Sequence, residues 1–243
     1  VDGHIGKLTA THVPYRKEKE PKDIFAERDQ FDQAWGKVIN CSSLPSSFIP
    51  KDGFLVTAND PVPEDTFAIG YFYSPPDRAL RLKQVVRKHR EWDKYNLRTL
   101  QQDVFSTSSL ILRDAMLERM RELGVTDGDL VKLMQSWDGH YYADSRGALA
   151  YQAFIASFAR ALYGALNCVG ELEALAHLPY FEDLLLVKMM SADDETLKKV
   201  FPLAIEEADV IIRANNSGDL RDNIAKAKKG ILEDDDSGEE ADE

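Results

Sequence analysis

The sequence predicts an α+β protein, with a β-rich, turn-rich N-terminal third followed by an α-helical region. Two observations carry this. Eight of the ten prolines (Pro14, Pro21, Pro45, Pro50, Pro61, Pro63, Pro75 and Pro76) fall in residues 1–76, a density through which a helix cannot propagate. After Pro76 the apolar residues recur with a spacing of about 3.6, that of a helix with one buried face. The 243 residues, 44% of them hydrophobic, are ample for a buried core in one large domain or two small ones.

In the first third, His4–Val13, Phe54–Ala58 and Phe67–Tyr73 alternate or run apolar over strand lengths between Gly and Pro, and are expected as strands. From Asp77 to Trp92, Leu80, Leu82, Val85 and Val86 share one side of a helix whose basic residues lie elsewhere. A second helix, capped by Asn96 or Thr99, is expected to run to about Leu123, where Gly124 stops it. Asp127 or Asp129 opens a short helix ending near Trp137. Residues 148–176 are apolar on nearly every side and should cross the middle of the helical region; further helices are expected near 181–190, 194–213 and 219–229. The expected organisation is therefore 1–76 strand-rich, 77–232 helical, and 233–243 an acidic disordered tail.

The formal charge of -12 narrows the function classes. Eight acidic groups and no basic one fall in 233–243, which leaves only a mildly acidic body without a basic face for phosphates, so nucleic acid is not an expected partner. No run of 18 apolar residues suits a membrane span. Cys41 and Cys168 lie far apart outside any metal-ligand spacing and are expected as buried thiols, and the five histidines form no ligand pattern, so a zinc site is not expected. P-loop, GxGxxG and GxSxG motifs are absent. The run Ser106-Thr107-Ser108-Ser109 is expected inside the second helix, where hydroxyls bond back to carbonyls.

Two places invite chemistry. Phe54-Leu-Val-Thr-Ala-Asn59-Asp60-Pro61 ends an apolar strand in a carboxamide, and a fixed N–H there can stabilise a developing oxyanion; an Asn-Asp-Pro turn whose side chains bond their own backbone is the bland alternative. In Ser74-Pro-Pro-Asp77-Arg78, Arg78 opens a helix from which it can reach a carboxylate, although a lone helical arginine is ordinarily structural.

Read together with their surroundings, these residues resemble a known family. Gly3-His-Ile5-Gly6 followed by Pro14-Tyr-Arg16 resembles the GNIGY…PxR segment in the β chain of penicillin acylases, and Trp35-Gly36, Leu44-Pro45, Pro50 and Gly53 follow its WxG, LP and NPxxG landmarks in order. Val56-Thr-Ala-Asn59 looks like its TANN, Pro75-Pro-Asp-Arg78-Ala-Leu-Arg81 like its PPYRAxR, Leu100-Gln-Gln-Asp103-Val like its LQxDV helix, and Trp137-Asp138-Gly139 like its WDG turn. The resemblance is sharp over residues 3–139 and rests on helical character beyond.

That resemblance implies an N-terminal-nucleophile (Ntn) hydrolase acting on amides, with the N-terminal third belonging to an αββα core. An N-terminal Ser would attack the acyl carbon while its own α-amino group, of pKa near 7.7–8.0 in model compounds, acts as base. Asn59 is implied as the oxyanion donor and Arg78 as a residue ordering the substrate side. The implied partners are a small-molecule N-acyl substrate and the remaining acylase segments, the α chain and the start of the β chain, with export to the periplasm or beyond. Departures are visible: Val1 is no nucleophile, and His4, Thr11, Ile49 and Asp60 stand where the family has Asn, Gly, Asn and Asn. The family's calcium-binding Asp aligns with Phe67, with Glu64 and Asp65 off register, so no metal cofactor is expected. As a rival, the chain is a non-catalytic relic or helical interaction module keeping the fold landmarks.

Overall fold

The computed structural model describes residues 3–15, 27–29, 37–61, 69–70, 73–89, 91–126 and 128–214. Expectations for Val1, Arg16, Trp35-Gly36, residues 64–67, Asp127, the 219–229 helix and the 233–243 tail lie outside these, as does most of the 67–73 segment. The chain divides into two compact units, 1–100 and 101–243. The change of periodicity at Pro76 and the boundary near residue 100 are thus different features.

In the first unit, β1 (Gly6–Leu8) pairs antiparallel with β4 (Ser46–Phe48), and β2 (Val13–Pro14) pairs antiparallel with β3 (Val38–Ile39). Their small core is Val13, Ile39 and Leu44, with Ile69 against it. The α+β class stands, but the ladders are shorter than the expected strands. Phe54–Ala58 is assigned to no strand, although its exposure alternates along the segment and Ala58 is buried. The period-2 pattern records which face a residue occupies, whereas a strand also needs a hydrogen-bonding neighbour that no local pattern supplies.

Helix α1 (Asp77–Lys88) starts directly after Pro75-Pro76, where fixed φ favours a helix start, with Asp77 in its first turn and Arg87 and Lys88 in its last, all placed to suit the helix dipole. The expected second helix is two helices. In α2 (Lys94–Gln101) the first backbone N–H groups are met by Asp93, whose Oδ1 accepts from Tyr95 and Asn96 at 2.8 Å each; Asn96 and Thr99 are not caps. In α3 (Thr107–Glu122) the cap is Ser106, whose Oγ accepts from the Ser109 N–H at 3.3 Å.

What separates α2 from α3 is the Trp137-Asp138-Gly139 turn. Ser106 N–H donates to the Gly139 carbonyl at 3.0 Å, Phe105 and His140 form a β-bridge, and Tyr141 N–H donates to the Val104 carbonyl at 3.1 Å. These bonds hold 104–106 extended, a competition with helix that local spacing does not reveal. The indole Nε1 of Trp137 donates to the His140 carbonyl at 2.9 Å, and Arg113 donates to the Trp137 carbonyl.

The second unit surrounds α5 (Arg146–Ala165), buried on most sides as expected of a central helix. Around it pack α4 (Asp129–Ser136), α6 (Val169–Leu175) and α8 (Asp194–Ala214), while α7 (Phe181–Ser191) packs on α3. Phe158 stacks on Phe154 and Phe201 at centroid distances of 5.8 and 5.0 Å, and Trp137 stacks on Tyr151 at 4.7 Å. The apolar run 148–176 is broken between α5 and α6, where Asn167 adopts φ 54° and Cys168 N–H caps the Tyr163 carbonyl at 2.9 Å. Pro202 sits inside α8 on its exposed side. Cys41 is exposed rather than buried, Cys168 is half-buried, and both are free thiols.

Candidate functional site

The two singled-out sequences meet in the first unit. After buried Ala58 the backbone turns through Asn59 at φ 57°, a left-handed conformation that asparagine tolerates better than most side chains. Two hydrogen bonds tie this turn to the approach of α1: the Ser74 N–H donates to the Asn59 carbonyl at 3.0 Å, and the Asn59 Nδ2 donates to the Ser74 Oγ at 3.1 Å. The amide of Asn59 is therefore bonded to a residue 15 positions away, and it is exposed. The self-bonding Asn-Asp-Pro turn occurs at Asp60 alone, whose Oδ1 accepts the Ala58 N–H at 3.0 Å.

That bond also fixes the charge beside Asn59. Partial burial pushes the Asp60 carboxyl up, but the N–H groups of Ala58 and Asp60 itself and the charges of Lys83 and Lys7 outweigh it and hold the group below its ordinary value. Asp60 is thus an anion at neutral pH with one oxygen bonded to the backbone preceding Asn59.

Arg78 lies exposed in the first turn of α1, four residues after Ser74, so it and Asn59 share the N-terminal end of that helix. At the far end, Arg87 Nη2 pairs with Asp52 Oδ2 at 3.0 Å and its guanidinium lies 5.8 Å from the centroid of the Phe54 ring. Residues 52–59 are consequently pinned along α1 in the opposite sense, Asp52 to Arg87 and Asn59 to Ser74. Sequence reasoning assigned no role to Ser74 or Arg87; a hydroxyl before Pro75-Pro76 and one arginine among many carry no local signal.

A polar cluster in the second unit was also missed. Ser109, expected to bond back to its own helix, instead directs Oγ to Glu182 Oε1 and Oε2 at 2.9 and 3.0 Å, because Ser106 rather than an interior turn begins α3. The Tyr151 hydroxyl donates to Glu182 Oε1 at 3.1 Å, the Tyr141 hydroxyl to Ser109 Oγ at 3.0 Å, and Gln152 Nε2 to the Tyr141 hydroxyl at 2.6 Å. Burial first, and then the Glu182 charge, raise both phenols above their ordinary value.

Among the described residues no three His, Cys, Asp or Glu side chains are grouped to hold a metal ion, and no helix is long and apolar enough to cross a membrane.

The site's geometry is thus an exposed carboxamide at a fixed turn, beside a helix start that carries Asp77 and Arg78. A family model described as penicillin amidase matches residues 1–234, and the chain belongs to that family. The match extends the resemblance from the N-terminal motifs through the helical unit. No match was found among curated proteins. Membership makes this a hydrolase sequence of the acyl amidase kind.

Proposed function

We propose that this chain contributes Asn59 as an oxyanion donor to the hydrolysis of N-acyl amides. The nucleophile in this reading is an N-terminal Ser on polypeptide outside these 243 residues. Its Oγ attacks the acyl carbon as its α-amino group takes the proton, and the carbonyl oxygen becomes an oxyanion that accepts a hydrogen bond from Asn59 Nδ2. Collapse expels the amine, which takes up the proton, and water then releases the carboxylic acid from the acyl-enzyme. Arg78, at the same end of α1, orders the substrate side. The observation that carries this reading is the exposed Asn59 amide, anchored to Ser74 and not folded onto its own turn, in a chain of this family.

The two ladders and the 52–60 segment are then parts of an Ntn-hydrolase core completed by the remaining acylase segments. Leu8 at 65% and Phe48 at 72% exposure on the β1–β4 pair suit such a covering. Calcium enters no step, since the aligned position is Phe67. Export to the periplasm or beyond belongs to the same proposal.

The test uses a chromogenic phenylacetyl amide. The 243-residue chain should give no burst, whereas the product of the complete coding region should give one, and Asn59→Ala there should lower kcat by about 100-fold or more. A burst from the isolated chain removes the outside nucleophile. An inactive complete product supports the rival relic instead.

A further inference from the structure

We propose that Ser74 is a positioning residue for the Asn59 amide, an inference that rests on the oxyanion reading of Asn59. A carboxamide nitrogen carries two hydrogens, and an exposed asparagine ordinarily samples several rotamers. Here one N–H of Nδ2 is given to the Ser74 Oγ at 3.1 Å, which leaves the second N–H as the donor available to a ligand. The same two residues are joined by the Ser74 N–H to Asn59 carbonyl bond at 3.0 Å, so main chain and side chain of Asn59 are both referenced to Ser74. Ser74 is itself restrained, because Pro75 follows it and Pro76 leads into α1. A donor held in place before the reaction needs no reorganisation when negative charge develops, and this is what makes a fixed dipole effective in catalysis.

Serine is suited to this contact because its oxygen accepts while its own O–H remains free to turn. Ser74→Ala removes the acceptor and leaves the backbone bond. Ser74→Thr keeps the acceptor, and its branched side chain suits the extended conformation that precedes proline. The pair of variants separates orientation of the amide from folding of the turn.

The experiment has two arms. In nitrogen-15 spectra of the 243-residue chain, the Asn59 side-chain NH2 pair is assigned by its loss in Asn59→Asp. In the parent and in Ser74→Thr, the proton given to Ser74 should be displaced from the shift of a free asparagine amide and exchange more slowly with solvent than its partner; in Ser74→Ala it should return to the free-amide shift and exchange rate while the other backbone signals stay in place. In the complete enzyme, Ser74→Ala should lower kcat about 5- to 10-fold at unchanged KM, and Ser74→Thr should restore it. An NH2 pair indifferent to Ser74→Ala, or an unchanged kcat where Asn59→Ala is severely impaired, overturns the positioning role alone. Near-normal turnover by Asn59→Ala overturns the oxyanion reading instead.

Discussion

The Ser109 hydroxyl lies within 3.0 Å of both carboxylate oxygens of Glu182, joining the first turn of α3 to the first turn of α7 across 73 residues of sequence. Its one proton faces both Glu182 oxygens and the Ser106 Oγ, 2.9 Å away, and the oxygen that carries it also accepts from the Tyr141 hydroxyl. Ser109→Ala deletes the donor to Glu182 and the acceptor for Tyr141 in a buried setting, so it should cost about 1–3 kcal/mol. Urea unfolding should show a lower midpoint at unchanged m; an unchanged midpoint would mean that water replaces the hydroxyl without loss.

The same cluster sets an alkaline limit. Tyr141 and Tyr151 have folded pKa values raised above 10.0 by burial and by Glu182. In the unfolded chain both phenols ionise near pH 10, while the folded protein keeps them protonated. Their contribution to stability is complete below pH 10 and is lost as pH rises above it. Urea midpoints measured from pH 8 to 11 should fall beyond pH 10, less steeply in Tyr141→Phe. Equal slopes for parent and variant would contradict the assignment.

Two glycines separate space from backbone strain. Gly139 has φ 88°, and a Cβ there would meet Leu110 Cγ and Cδ1 at 2.7 Å and Phe105 Cε2 at 3.0 Å. Gly124 has φ 77° and no heavy atom within 4 Å of such a Cβ. Gly124→Ala should cost about 1–2 kcal/mol from the left-handed backbone alone. Gly139→Ala should add about 1–3 kcal/mol of overpacking, visible as a lower Tm than Gly124→Ala.

Neighbouring positions on α8 should answer oppositely. Phe201 is fully buried against Phe158, and Phe201→Ala should cost about 3–5 kcal/mol. Leu203 is 58% exposed, and Leu203→Ala should stay within about 0.5 kcal/mol in thermal or urea unfolding. A large loss at Leu203 would show that this side of α8 is covered in solution.

Much of the helical unit is legible in the sequence. The 181–190 and 194–213 stretches fall within one residue of α7 and α8, and the apolar residues of 148–165 form the central α5, because burial of one face against a core is written in the spacing of apolar residues. Two of the errors share one cause. The α2–α3 break depends on a bridge from Phe105 to His140, and Ser109 has its partner at Glu182, so in both cases a long-range hydrogen bond outweighs the local helical preference. Phe54–Ala58 has a strand's alternation without an assigned ladder, because alternation describes faces and not neighbours.

The sequence by itself determined the α+β order, the helices with a continuous apolar face and the ordered landmarks from Gly3 to Gly139, all properties of residue type and spacing along the chain. Tertiary structure decided where polar groups terminate: Asn59 on Ser74, Asp60 on the Ala58 N–H, Ser109 on Glu182. A hydrogen bond needs its partner within about 3 Å and in line, and for groups 15 or 73 residues apart only the folded chain creates that proximity.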